Sequence, residues 1–250
     1  IVLSTNEAQF VPGPYKGYSG PRGANNERWE GDKDINDAIN DAGGHKTVRK
    51  RVTQLEFDFV PIKEVLKFEY MFASVSYHED CGEQCNVGAL FAAWLIDSET
   101  GKGVNLAKIN GTDSPISIKS IRDDVKSPGC GVSSYPELFD KYYGGIANSA
   151  FDRTGSHNAY GAWIDFVGVT HAMESDEVFV VPGRKYHIKL AVMDFCPTTA
   201  HSSAAFFKAG SFDLGDLDLG ADLTVDNDNA ICNTESRTIE SGLGTENVDI

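Results

Sequence analysis

No run in this chain comes near the roughly 20 consecutive apolar residues that carry a helix across a bilayer, and no basic stretch leading into an apolar core opens it. Motifs that carry a mechanism are missing too. There is no G-x-S-x-G elbow, no H-E-x-x-H, no phosphate-binding P-loop and no G-x-G-x-x-G. A catalytic protein is therefore not the expected reading. Basic residues are scarce as well, 22 Lys and Arg against 37 Asp and Glu, and the resulting charge of −15 opposes any phosphate backbone. Nucleic acid is not an expected partner. What the chain does hold is the material of turns and strands: 25 glycines, nine prolines, 14 phenylalanines and nine tyrosines in 250 residues, enough for one sizeable core. Beginning at Ile1 on strand-like sequence, it reads as a mature or trimmed piece of an exported protein.

Five cysteines, Cys81, Cys85, Cys130, Cys196 and Cys232, each lie near Gly, Pro, Asn or Asp rather than in an apolar run. That placement suits disulfides and an oxidising compartment, and the spacing does not suit zinc. Cys81 with Cys85 and Cys130 with Cys196 are the expected pairs, which leaves Cys232 over.

Hydrophobic periodicity sketches the fold. In 34–42, Ile35, Ala38, Ile39 and Ala42 recur at helical spacing, with Asp34 as the expected N-cap and Gly43 as the C′ residue, so a short helix should pack on one edge of a sheet. Beyond residue 52 the period becomes two. Leu55, Phe57 and Phe59 alternate with Glu56 and Asp58, and Leu66, Phe68, Tyr70 and Phe72 alternate with Lys67 and Glu69, which predicts two antiparallel partners across the turn 61–64. The run 87–96 is apolar almost throughout and should be covered on both faces. Further strands are expected at 1–4, 104–109, 115–121, 162–169, 177–181, 185–195 and 203–212, and a short helix near 136–142. About nine short strands with one or two short helices and long loops predict an all-β antiparallel sandwich or jelly roll over 1–212. The stretch 12–31 is a long excursion and 122–161 a long insertion. An acidic linker comes next at 213–229, and 230–250 is either an extended tail or the first strand of a following immunoglobulin-like domain.

Several segments, in this order, resemble the choice-of-anchor L domain of secreted and surface proteins, especially those of Bacteroidetes exported by type IX secretion. They are Ile1–Thr5, Gly31–Ile35, Leu55–Pro61, Phe68–Ser74, Asn105–Ala107 with Pro115–Ile118, Val181–Ala191 and Ser203–Phe212. The resemblance implies a β-rich module joined to varied C-terminal anchoring or sorting signals, located outside the cell. One departure is local: the family usually carries two glutamates and a tyrosine after Phe-Ala-Ser, whereas Val75-Ser76-Tyr77 stands here.

Three constellations are candidates for chemistry. The loop 77–85 concentrates Glu79, Asp80 and Glu83 between or beside Cys81 and Cys85, and these carboxylates would supply oxygens to Ca2+, with a solvated acidic turn as the other reading. Its string Cys81-Gly82-Glu83-Gln84 also resembles an internal thioester, against the plainer reading of a local disulfide. Tyr142, Tyr143 and Tyr160 of the long insertion, or Tyr15, Tyr18 and Trp29 of the first excursion, would stack on a glycan if exposed and would cover the core edge if not. The expected function is adhesion or recognition of a surface glycan or protein by a non-catalytic module. A structural subunit of a surface filament, whose partners would be neighbouring subunits, is the alternative, and a secreted polysaccharide-active enzyme the more distant one.

Overall fold

Alternation of apolar and polar residues determines how the strands meet in the computed structural model, which describes residues 1–15, 31–41, 51–77, 89–122, 135–143, 162–194, 202–212 and 214. In chain order the elements begin with β1 (Val2–Ser4), α1 (Lys33–Asp41), β2 (Arg51–Phe59), β3 (Val65–Leu66) and β4 (Glu69–Ser74). They continue with β5 (Leu90–Asp97), β6 (Gly103–Asn105), β7 (Ile116–Ser117), β8 (Phe139–Tyr142) and β9 (Gly168–Thr170). The last are β10 (Met173–Glu174), β11 (Val178–Phe179), β12 (Tyr186–Asp194) and β13 (Ser203–Phe207).

One sheet runs β1-β13-β4-β9-β8 with β10 beside β4; a second runs β2-β12-β5-β6 with β7 beside β5; β11 and β3 form a two-stranded ribbon. Every pairing is antiparallel. The fold is the expected all-β sandwich. Tyr70 and Phe72 of the first sheet share one buried cluster with Phe91, Leu95, Ile188 and Val192 of the second, so the two inner faces build a common core.

The alternation of 87–96 resolves into two cores. Phe91, Ala93 and Leu95 enter the sandwich, while Leu90 and Ala92 join Ile35, Ala191 and Met193 in a smaller cluster on the far face. Helix α1 therefore lies on the outer face of the second sheet, over β5 and β12, and not on an edge. Its cap is also earlier than expected: the Asp32 carboxylate accepts the backbone N–H groups of Asp34 (3.0 Å) and Ile35 (3.2 Å), and Asp34 is already helical. Lys189 of β12 reaches both acids, 2.6 Å from Asp32 and 2.9 Å from Asp34, and so pins the helix start to the sheet. Burial works against both charges, yet these hydrogen bonds outweigh it and hold the Asp32 carboxyl below its ordinary range and the Lys189 ammonium above.

Three other expectations are corrected. The segments around 55–59 and 66–72 are not neighbours in one sheet: β2 pairs with β12, and β4 with β13 and β9. Each contributes to one core from its own sheet, Phe59 and part of Phe57 from β2 and Tyr70 and Phe72 from β4, while Leu55 of β2 stays 45% exposed. Near 136–142 only Pro136–Leu138 make a 3-10 turn before the chain extends into β8, which pairs with β9. After Ser117 the 115–121 segment turns, because the Ser120 and Ser117 side chains bond each other and the local backbone.

Candidate functional site

The register places the long connections together. Asp194 stands opposite Arg51, Met193 opposite Leu90, Ser203 opposite Ser74, and Gly168 opposite both Ser74 and Tyr142. The Tyr77 hydroxyl donates to the Ile121 carbonyl at 3.0 Å. Consequently the described residues that flank 78–88, 123–134, 144–161 and 195–201 all converge on one pole of the sandwich. Long connections on a rigid sandwich are where binding concentrates. The opposite pole carries the aromatic group Phe57, Phe59, Phe68 and Phe212, in which the first three ring centroids lie 5.5–5.8 Å from that of Phe212.

Between the sheets at the loop-bearing pole lies a polar plug. Asp194 follows Ile188, Leu190 and Val192 in phase, so its side chain points inward and is fully buried. Ser203 donates to Asp194 Oδ2 at 2.9 Å, Ser76 at 3.3 Å, and Arg51 Nη2 lies 3.8 Å from Oδ1. The Ser74 and Ser203 hydroxyls share a 2.9 Å hydrogen bond, and the Ser203 N–H donates to Thr5 Oγ1 at 2.9 Å. The plug joins β1, β2, β4, β12 and β13 at the level where the connections leave. Such a network pairs the Asp194 carboxylate with several donors and fixes the strand ends relative to one another.

Next to the flank of the 144–161 connection, a large aromatic side chain faces water. Trp163 is 56% exposed. Its backbone is tied down: its carbonyl accepts the Gly13 N–H at 3.0 Å, Ile164 bridges Pro12, and the Asp165 N–H donates to the Val11 carbonyl at 2.9 Å. Only glycine permits this approach, since a Cβ on Gly13 would fall 1.9 Å from the Ala162 carbonyl oxygen. The indole sits within reach of Tyr143, whose hydroxyl is held above its ordinary range by burial. The Lys141 ammonium lies 5.6 Å from the centre of the Tyr143 ring and 3.2 Å from Asp140, and Asp140 is 3.8 Å from His171. The Tyr143 ring within reach of the indole thus leads along β8 to an ammonium, a carboxylate and an imidazole.

The expected stacking residues fare differently. Tyr142 and Tyr143 are each only 4% exposed and belong to the core, where Tyr142 packs on Phe139 at 4.6 Å, so neither offers a free face. Tyr142 ends β8, one layer of the sandwich, and Tyr143 just beyond it is held to the same layer by its N–H, which donates to the Val167 carbonyl at 2.7 Å. Tyr15 is likewise partly buried against the core. Tyr160, Tyr18 and Trp29 lie outside the described residues, as do Glu79, Asp80, Glu83, Cys81, Cys85, Cys130, Cys196 and Cys232. Among the described residues no group of three or more His, Cys, Asp and Glu is arranged to hold a metal ion.

Two other titratable groups differ in how they are held. His187 is held on the outer face between Asp58 (Nδ1, 2.9 Å) and Glu56 (Nε2, 3.1 Å), so both ring nitrogens are engaged. Asp176 is different, since burial raises its carboxyl above the ordinary range, with Lys108 opposing and Asp113 adding to the effect. A raised folded-state pKa contributes stability below the unfolded value and loses it as pH rises through the folded value. Asp176→Asn is therefore expected to raise the melting temperature at pH 7, with the gain shrinking as pH falls through the raised folded-state range and gone below about 4, the unfolded range of an aspartate. Thermal melts of both proteins across that range check it; a lower melting temperature at pH 7 would show that the charge is wanted.

Fold and site together define a β-sandwich module: two sheets whose longest connections start from one pole, with an exposed aromatic residue there. Within that class, the chain belongs to the choice-of-anchor L domain family, whose model matches residues 1–213. Membership makes it a cell-surface or extracellular protein, and no helix among the described residues is long and apolar enough to cross a membrane. Comparison with curated proteins and with solved structures gave no significant match.

Proposed function

We propose that this domain is a non-catalytic recognition module that binds a surface glycan at the loop-bearing pole, with Trp163 as its stacking face. The observation that carries the reading is the half-exposed indole on a backbone fixed at Gly13, Pro12 and Val11. A flat aromatic face covers the C–H face of a sugar ring, while neighbouring charged groups orient its hydroxyls. Lys141 would donate, Asp140 would accept, and His171 would do either. No alternation marks Trp163 in the sequence, because Ala162 and Ile164 to Thr170 are all buried and Trp163 alone in that run faces water. A non-catalytic role is supported by how the obvious catalytic groups are engaged: Asp194 is buried against hydroxyls and Arg51, and His187 is held between two carboxylates.

The test is a broad glycan array followed by titration of the best binder against Trp163→Ala. The variant is expected to bind at least about tenfold more weakly, equivalent to about 1.4 kcal/mol, with an unchanged melting temperature. No binder on the array, or equal affinity of the variant, would remove glycan recognition at Trp163.

A further inference from the structure

The β3–β11 ribbon has two unlike faces. Leu66 and Val180 are buried on one side, whereas on the other Phe179 stands 80% exposed, Val181 47%, and the half-buried Val65 opposes Phe179 across the ribbon. Val60, 51% exposed, adjoins this face, because the Gly183 N–H donates to the Pro61 carbonyl at 2.9 Å. A phenylalanine so exposed, in company with three valines, is a sheet face that none of the described residues covers.

The chain itself arrives there. The Ile62 N–H donates to the Leu214 carbonyl at 2.9 Å, which sets residue 214 alongside the start of the ribbon. Beyond it the sequence alternates: Leu217, Leu219, Ala221, Leu223 and Val225 are apolar, while Asp216, Asp218, Asp222, Thr224 and Asp226 fall between or beside them. Such a period of two marks a segment with one face to bury and one to solvate. Leu217 is three positions after Leu214, a reach of up to about 10 Å, so the apolar face can fall on the ribbon at once.

We propose that the outer face of the β3–β11 ribbon is the docking site of this chain's own segment 217–225. Its apolar positions cover Phe179, Val181 and Val60, and its aspartates face water. A second copy is the weaker candidate, because a few side chains fall well short of the roughly 1,000 Å² a specific interface needs. An attached segment is instead supplied at an effective concentration in the millimolar range, of order 10⁻³ M. The segment lies outside the family match to residues 1–213, and would thereby be seated on the domain at the pole opposite the one that carries Trp163.

Hydrogen exchange on the full chain tests this, read on peptides covering 217–225 in the unmodified protein, in Phe179→Asp and in Leu219→Asp. The unmodified segment is expected to exchange at least tenfold more slowly than a random coil, and each variant to lose that protection while the β4, β5 and β12 peptides keep theirs. Random-coil exchange in the unmodified protein would overturn the proposal, as would protection that survives both substitutions. Protection that grows with protein concentration alongside a dimer would assign the face to a second copy instead. The reading of Trp163 stands or falls separately, since glycan affinity is expected to be the same in all three proteins.

Discussion

Replacing Asp194 with alanine is expected to destabilise the domain by about 3–5 kcal/mol, the usual cost of breaking a buried charge pair from one side. The carboxylate is fully buried and bonded by Ser203 at 2.9 Å and Ser76 at 3.3 Å, with Arg51 at 3.8 Å and itself largely buried. Removing it takes a charged acceptor away from the Arg51 guanidinium and two hydroxyls inside the sandwich, and lost buried hydrogen bonds to a charge are the costly ones. Asp194→Asn keeps the shape and one acceptor oxygen, so a smaller loss is expected. Arg51→Met combined with Asp194→Leu should recover part of what the alanine variant loses, because a matched apolar pair removes both charges together. Urea denaturation of the four proteins decides the matter. A loss below about 1 kcal/mol in Asp194→Ala would show that water reaches the site, and that the plug is not what fixes the pole.

How much of this was legible in the sequence depends on how far each signal travels along the chain. The alternation in β2, β4 and β12 is local, and it correctly gives strands with one apolar face. Their pairing is not local: β2 is bound to β12, more than a hundred positions on, and only the requirement that both apolar faces share one core decides against a hairpin with β4. Residues 87–96 show the same division, since a run apolar on both sides announces two coverings but does not name α1 as the second. Asp194 was within reach, because counting by twos from Ile188 puts it inward, and an inward aspartate at a strand end is a polar network waiting for partners. The partners Ser76 and Ser203 come from elsewhere in the chain and carry no sequence signal. For the stacking residues, composition drew attention to the paired tyrosines at 142 and 143, whereas the exposure of Trp163 within the otherwise buried run 162–170 follows from tertiary packing and has no periodic signal.

Tyr77→Ala is expected to cost about 3–5 kcal/mol, in the range for emptying a buried aromatic site. The ring is buried, meets Phe139 edge-on at 5.0 Å and Tyr142 at 6.4 Å, and its hydroxyl donates to the Ile121 carbonyl at 3.0 Å. Burial also keeps that hydroxyl from ionising, by raising it far above its ordinary range. Tyr77→Phe separates the two contributions: packing is retained and one hydrogen bond is lost, for about 1 kcal/mol, or up to about 3 if the Ile121 carbonyl finds no other donor. Gly168 supplies a second probe of the same contact. A Cβ there would lie 2.8 Å from Tyr77 Cδ2 and 3.1 Å from Phe139 Cε2, so Gly168→Ala should cost about 1–3 kcal/mol by overpacking. Combined with Tyr77→Ala, however, the added methyl enters the space the ring has left, and the two losses should sum to more than the double variant shows. Denaturation midpoints for the single and double variants measure that difference. Simple additivity would mean that β9 does not rest on the Tyr77 ring, and that the ring, placed just before residue 78, does not fix the base of the pole.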